Sequence, residues 1–181
     1  MSGKIYLAFI NHPTEFPWDN LVVDLKKCVP LPFEKLQVDI DLELYYSRDR
    51  GQYYSTLLLT HLLKILPEDG EKIVGIVDVD IFIPILTFLF GEAQFKGKGA
   101  LVSTYRLRNE FYGLPANDFL LYQRLLKEVL HELGHTLGLV HCRDFECVMN
   151  SSTYVEDIDL KHARLCTNCQ KILGVDCKNK K

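Results

Sequence analysis

The sequence lacks both a long apolar run and a basic region. Residues 81–90 are apolar but include Pro84 and span only ten positions, whereas a membrane-spanning helix needs about 20. Residues 5–10 are also apolar, but no small-residue cleavage site follows them, so no secretory signal is predicted. The net charge is −3, and without a basic patch nucleic-acid binding is not expected. We therefore expect a soluble, cytoplasmic monomer without membrane or nucleic-acid partners.

The composition is that of an ordinary globular protein. Of the 181 residues, 48% are apolar and 25% are charged, which suits a single domain with a proper core. The lysine-rich run at residues 178–181 is interpreted as a solvated end. The chain has six cysteines: Cys28, Cys142, Cys147, Cys166, Cys169 and Cys177. Without a secretory signal, a disulfide scaffold is disfavoured, and the clustering of four cysteines within 28 residues indicates metal binding.

Hydrophobic periodicity predicts an α/β fold. Strands are predicted at residues 4–11, 37–44 and 72–81, helices at 18–28 and 52–66, and a hairpin from 87–95 and 100–107. A long helix begins at Asn117 or Asp118 and runs to about Gly138. The hairpin makes one strand antiparallel, so we expect a mixed twisted sheet with that strand at its edge. Residues 139–181 lack periodicity and are predicted to form an irregular C-terminal subdomain, packed on the subdomain formed by residues 1–138.

The long helix carries the motif His-Glu-x-x-His at residues 131–135. His131 and His135 are four residues apart, so they share one helix face and can bind one ion together. Glu132 is the next residue around the helix and is not positioned as a ligand. In this motif such a glutamate accepts a proton from the zinc-bound water. An amphipathic helix with incidental histidines is the competing interpretation.

The continuation of the motif supports the zinc interpretation. His141 follows His135 by six residues, and a continuous helix would place it about 9 Å further along the axis. A third ligand at this spacing therefore requires the helix to end and the chain to turn back. Gly138 permits such a turn, because glycine tolerates positive φ. Three imidazoles leave one coordination position of zinc open, which is the catalytic arrangement.

Four cysteines follow the histidines at metal-binding intervals. Cys142, Cys147, Cys166 and Cys169 match the spacing of a closed tetrahedral zinc site. Such a site would also explain how the polar C-terminal segment folds, because metal binding contributes free energy that a small core lacks. Two disulfides or four unlinked thiols are the alternatives. His162 lies nearby and could replace one of the four thiolates.

The string from His131 to Cys169 resembles the archaemetzincin family. The segments Arg50-Gly51-Gln52-Tyr53-Tyr54-Ser55-Thr56 and Gly75-Ile76-Val77-Asp78-Val79-Asp80 are also similar to that family, more weakly. The resemblance implies a compact metzincin-like domain with one catalytic and one structural Zn²⁺, two ions per chain. It also implies a methionine turn beneath the metal, for which Met149 is the candidate, and peptidase activity that is aminopeptidase-like in some members.

The sequence departs from some metzincins near the metal. Where these carry a tyrosine two residues after the methionine, this chain has Ser151, and its nearest tyrosine is Tyr154. No side chain can therefore be assigned to oxyanion stabilisation. We expect a zinc metallopeptidase that hydrolyses peptide or protein substrates with Glu132 as general base, an extended peptide pairing with the edge strand at residues 87–95. A non-catalytic or latent zinc protein that binds peptides or a partner is the alternative.

The remaining candidates are given structural roles. Cys28 lacks the arginine and glycine that flank a zinc-capping propeptide cysteine, and it is interpreted as a small buried apolar residue. Cys177 is interpreted as a free thiol in the tail. His12 and His61 are predicted to be structural. Asp78 and Asp80 either face a site or cap a strand, and the cap is favoured because no spacing defines their partners.

Overall fold

The computed structural model describes residues 3–11 and 17–177. His12 and the tail at residues 178–181 lie outside the described residues. The strands are β1 (Lys4–Ile10), β2 (Phe33–Val38), β3 (Tyr46–Ser47), β4 (Gln52–Tyr54), β5 (Gly70–Val77), β6 (Ile81–Phe82), β7 (Gly91–Ala93) and β8 (Gly99–Ser103). The α-helices are α1 (Trp18–Leu25), α2 (Ser55–Lys64), α3 (Asp118–Thr136), α4 (Val155–Leu160) and α5 (Thr167–Leu173), and 3-10 turns occupy Leu42–Tyr45, Tyr105–Leu107 and Asn109–Tyr112.

The main sheet is mixed, as predicted. Its strand order is β2-β1-β5-β8-β7. The first four strands are parallel, and β7 pairs antiparallel with β8 at the edge. A small second sheet has the order β3-β4-β6. The predicted third strand is therefore central, and the predicted hairpin supplies the antiparallel edge strand.

An apolar cluster lies on each face of the main sheet. Parallel strands that are covered on both faces carry apolar side chains on both faces. Alternate side chains of β1 illustrate this: Ile5 and Leu7 point into one cluster, whereas Ala8 and Ile10 point into the other. The first cluster includes side chains of α1 and α3, and the second includes leucines of α2. Helix α3 thus lies across one face of the sheet, where it contacts β7 and β8.

Several predicted boundaries are wrong. The strand predicted at residues 37–44 is β2, which ends at Val38; the chain then turns, and the Asp41 carboxylate accepts a hydrogen bond from the amide of Glu43 at 3.2 Å. The helix predicted from Gln52 begins at Ser55, because residues 52–54 form β4 and pair with β6. The central strand ends at Val77 and the edge strand is only three residues long. Within the described residues, no helix is long and apolar enough to cross a membrane.

Candidate functional site

The C-terminal half of α3 carries the histidine motif on its buried side. The helix begins where the Asn117 side chain accepts a hydrogen bond from the amide of Leu120 at 2.9 Å, which satisfies one of the free N–H groups of the first turn. Apolar side chains of α3 then pack on the sheet, and this packing fixes the rotation of the helix. His131 and His135 share one face, and their Nε2 atoms are 3.0 Å apart.

The helix ends where the sequence predicts. Gly138 has φ of +100°, and its amide donates to the carbonyl of His135 at 3.0 Å, while the amide of Leu139 donates to the carbonyl of Gly134 at 2.9 Å. This pair of hydrogen bonds is the Schellman arrangement, which needs a left-handed residue at the glycine position. The chain therefore turns back, and the His141 ring lies 4.9 Å from the His135 ring, measured between centroids.

Two of the three imidazoles are held in one tautomer by main-chain carbonyls. The Nδ1 atom of His131 lies 2.8 Å from the carbonyl oxygen of Val148, and that of His135 lies 2.8 Å from the carbonyl oxygen of Leu139. Because a carbonyl only accepts hydrogen bonds, each Nδ1 carries the proton and each Nε2 keeps its lone pair. With His141, the three potential ligand atoms all lie within 4.8 Å of one another. This donor set fits zinc with one coordination position left open.

Burial lowers the pKa of all three imidazoles. The pKa of His131 falls to about 3, chiefly through burial and secondarily through the positive charge of Lys161. Burial is also the main cause of the lowered pKa values of His135 and His141. A neutral imidazole is the form that binds a metal, so protons compete weakly at this site.

Met149 lies directly beneath the histidine helix. Its side chain is fully buried, and a Cβ atom added at Gly134 would be 2.4 Å from its Sδ atom. The carbonyl of Met149 accepts a hydrogen bond from the amide of Cys142 at 2.8 Å, and Asn150 Nδ2 donates to the carbonyl of Cys142 at 2.8 Å. These bonds fix the residue that follows His141.

Glu132 is buried between α3 and the edge strand. Burial raises the pKa of its carboxyl well above the ordinary value, and the neighbouring charge of Glu128 adds to the effect. A Cβ atom at Gly91 would lie 2.6 Å from Cγ and 2.7 Å from Oε1 of Glu132. The glycine of β7 therefore leaves the space that the glutamate side chain fills. This contact could not be predicted from sequence, because the two residues are far apart in the chain.

Sequence reasoning also missed a buried ion pair below the histidines. Lys161 is almost completely buried, and its Nζ atom lies 3.5 Å from Oε1 of Glu128 and donates to the carbonyl of Asn150 at 2.9 Å. Glu128 lies one helical turn before Glu132 and is itself buried. A buried charge is tolerated only beside a partner of opposite charge. In the sequence, the available sign of this ion pair is a lysine in the polar C-terminal segment.

The four clustered cysteines also converge. The Sγ atoms of Cys142 and Cys166 are 3.8 Å apart, as are those of Cys147 and Cys169. All four sulfurs lie within 4.8 Å of one another. A tetrahedral zinc with Zn–S bonds of about 2.3 Å would separate its sulfurs by about 3.8 Å, so this donor set fits zinc without an open position.

Cys177 is a free thiol, as the sequence predicts, but it is buried. It is 5% exposed, and its side chain forms a hydrogen bond with that of Cys28, which is 2% exposed. This bond raises the pKa of Cys28 and lowers that of Cys177 to about 7. Cys28 is buried in the apolar cluster, as expected, and lies away from the three imidazoles.

The other side chains considered have structural partners. His61 shares a hydrogen bond with the hydroxyl of Tyr45, and His162 is exposed with Glu146 3.8 Å away, so neither joins the two clusters.

The two aspartates at the end of β5 do more than cap the strand. Asp80 binds Arg106 through both carboxylate oxygens at 2.6 and 2.7 Å, and Asp78 binds Arg108 at 2.9 and 3.1 Å. These two carboxylates therefore hold the chain that follows β8.

A cleft of about 430 Å³ connects the imidazoles to the surface. Its floor is formed by side chains of α3, among them His131, Glu132 and His135. One wall is formed by residues 86–93, which run into β7, and the other by residues 151–153. Ser151 therefore lines the cleft, whereas Tyr154 is not part of it and is 67% exposed.

Comparison with known proteins identifies the family. Residues 7–174 match the model of peptidase family M54. Archaemetzincin from Methanocaldococcus jannaschii is 49% identical over 135 residues, 74% of this chain and 73% of that protein. Archaemetzincin from Sulfolobus acidocaldarius is 39% identical over 169 residues, 89% and 93% of the two chains. The crystal structure of archaemetzincin from Methanopyrus kandleri is similar with a TM-score of 0.81 at 30% identity, covering 96% of this chain and 94% of that one.

These matches span almost the whole chain, in both sequence and fold, and they confirm the resemblance found from the motif string. The chain belongs to peptidase family M54, the archaemetzincins, and is a zinc metallopeptidase.

Proposed function

We propose that His131, His135 and His141 hold one zinc ion and that Glu132 is the general base of peptide hydrolysis. The observation that carries this proposal is the convergence of the three imidazoles beside a buried carboxyl in one cleft. Zinc, when bound, supplies Lewis acidity that polarises the scissile carbonyl and lowers the pKa of a water ligand to ~7. Glu132 accepts the proton of the attacking water and delivers it to the leaving amine.

The surrounding residues hold these groups in place. The carbonyls of Val148 and Leu139 keep the histidine rings in the tautomer that leaves Nε2 free. Met149 supports α3 from below, as the methionine of a Met-turn, and its contact with Gly134 supports this role. Glu132 is kept within the cleft by the close approach of the edge strand at Gly91.

We further propose that the substrate is an extended peptide that pairs with β7. This strand is at the sheet edge and continues from a cleft wall, so its outer main-chain groups can bond a peptide backbone. Aminopeptidase-like cleavage is part of the proposal.

The four cysteines hold a second, structural zinc in this proposal. Their sulfur spacing of 3.8 Å supports it. All 181 residues then form one metallopeptidase domain in which residues 139–181 depend on metal, and side chains from both parts pack in one apolar cluster. Cys166→Ser should lower the melting temperature and remove about one zinc per chain, as measured by calorimetry and elemental analysis. A variant that melts like the parent would refute the structural role.

The test of the mechanism separates metal binding from proton transfer. Glu132→Gln keeps the size of the side chain and removes the base, so zinc content should not change while peptidase activity falls by at least ~10²-fold. His135→Ala removes a ligand, so zinc content and activity should fall together. Loss of zinc from Glu132→Gln would make this residue a ligand. Full zinc occupancy without cleavage across a broad peptide library would instead favour a latent peptide-binding protein.

A further inference from the structure

Two sequence segments that resemble the family contain none of the proposed zinc ligands. They are residues 50–56 and 75–80. The first segment contacts the cleft wall at residues 86–90 through Arg50 and Gln52, and the second is joined to the first by a hydrogen bond from Gln52 to Asp80. This wall segment follows β6 and has no regular structure. The amides of Leu86 and Leu89 donate to the carbonyls of Ile83 and Ile81, and the carbonyl of Phe90 accepts from the amide of Ser103. The carbonyls of Leu86 and Thr87 are bonded instead by side chains from another part of the chain.

Arg50 and Gln52 hold the main chain of the wall segment. The Nη2 atom of Arg50 donates to the carbonyl of Leu86 at 2.7 Å and to that of Thr87 at 3.0 Å. The side-chain amide of Gln52 donates through Nε2 to the same Thr87 carbonyl at 3.0 Å and to Asp80 Oδ2 at 3.0 Å. A charged donor strengthens such bonds, so these contacts fix the height of the wall above the floor of the cleft.

Arg106 holds the side chains of the wall. Its guanidinium lies 4.1 Å from the ring centroid of Phe88 and 4.6 Å from that of Phe111. Two hydrogen bonds to the carboxylate of Asp80 hold this guanidinium against the two rings. Phe88 lines the cleft, so the position of one apolar cleft residue is set by a cation that does not itself line the cleft.

The wall is apolar where it faces the cleft. The residues involved are Leu86, Phe88, Leu89 and Phe90. An apolar surface beside a reactive centre binds an apolar side chain of the substrate, because contact removes both from water.

We propose that Arg50, Gln52, Asp80 and Arg106 are positioning residues that hold residues 86–90 as the binding wall for an apolar substrate side chain. This inference rests on the proposed function, since it assigns a substrate class to the same cleft. The nearby pair of Asp78 and Arg108 provides an internal comparison. It joins the same two stretches of chain by the same bidentate geometry, but within the part of the chain that the structure describes Arg108 neither donates a hydrogen bond to the wall segment nor lies over one of its rings.

The experiment compares three methionine variants, each of which keeps an aliphatic stem and removes a guanidinium. Arg50→Met and Arg106→Met release the wall, and Arg108→Met is the matched control. Zinc content, melting temperature, KM and kcat are measured for each. Dissociation constants are measured for acetohydroxamate and for a hydroxamate with an isobutyl side chain.

The expected result is selective. Arg50→Met and Arg106→Met should raise KM for a peptide with a leucine side chain, and Kd for the isobutyl hydroxamate, at least ~10-fold. Acetohydroxamate affinity, zinc content and kcat should stay close to the parent values, and Arg108→Met should match the parent throughout. A general structural effect would instead weaken both hydroxamates together or lower zinc content.

Two outcomes overturn the inference and one overturns its basis. Unchanged isobutyl-hydroxamate affinity in Arg50→Met, or an equal loss in Arg108→Met, would show that the wall is not held in this way. If the zinc-loaded parent binds neither hydroxamate, the proposed function of the cleft fails before the positioning residues are tested.

Discussion

At Gly91, the addition of a single methyl group should strongly reduce catalysis. A Cβ atom there would lie 2.6 Å from Cγ of Glu132, whereas ordinary contacts begin at 3.4 Å. In Gly91→Ala the glutamate side chain must therefore move by about 0.8 Å or the edge strand must retreat by the same distance. A misplacement of about 1 Å in a catalytic group can cost ~10²-fold in rate. We expect kcat to fall by that order.

The zinc ligands should be unaffected, because the added methyl group meets only Glu132 among the nearest atoms. Gly91→Ala should therefore keep the zinc content of the parent. Crowding of this kind also costs stability, typically about 1–3 kcal/mol, so activity must be measured per folded, zinc-loaded molecule. Steady-state kinetics with elemental analysis and a thermal melt give these quantities.

Gly99→Ala is the matched control. This glycine is on the neighbouring strand β8, and its added Cβ would lie 2.8 Å from Cδ2 of Leu63, on the side away from the cleft. The control should lose comparable stability and keep kcat. If Gly91→Ala also keeps the parent kcat, the position of Glu132 described above is not the one used in catalysis, and the reasoning is wrong.

Three further predictions concern metal, the buried ion pair and pH. A chelator should remove one zinc readily while far-ultraviolet circular dichroism is unchanged, because a closed thiolate site holds zinc more tightly than an open imidazole site; release of both ions together would contradict this. Lys161→Met should destabilise the protein by about 3–5 kcal/mol in urea titrations, because Glu128 is left buried without its partner, and adding Glu128→Leu should restore most of the loss. Partial burial raises the pKa of Asp24, but hydrogen bonds from Lys27 and Tyr122 outweigh it and hold this pKa below its ordinary value. Its stabilisation is therefore present at neutral pH and is lost as pH falls below ~3.9, so the stability difference between the parent and Asp24→Asn should shrink in acid.

The parts of the site that depend on local spacing could be predicted from sequence. Two histidines four residues apart share a helix face wherever the helix lies, and a left-handed glycine ends a helix whatever surrounds it. The turn at Gly138 and the convergence of His131, His135 and His141 follow from these local rules. The convergence of the four cysteines could be predicted for the same reason, because their spacing in the chain limits how the C-terminal segment can fold around one ion.

The parts that depend on long-range packing could not. The alternating pattern at residues 37–44 is compatible with a strand, but pairing with β1 ends at Val38 and the pattern continues into a turn. Nothing local to Gly91 indicates that Glu132 fills the space beside it. The contact between Cys28 and Cys177 likewise joins two residues that are far apart in the chain. These features follow only from the way the sheet and helices pack.

The adjacency of His141 and Cys142 has a consequence for biosynthesis. Consecutive Cα atoms are about 3.8 Å apart, so the third imidazole is anchored by a residue of the cysteine cluster. One partner of Cys142 in that cluster, Cys166, is made 24 residues later. When His141 has just been synthesised, the later cysteine that completes its anchor has therefore not yet been made. In the arrangement proposed above, the nascent chain therefore completes its histidine site only after Cys166 has been synthesised.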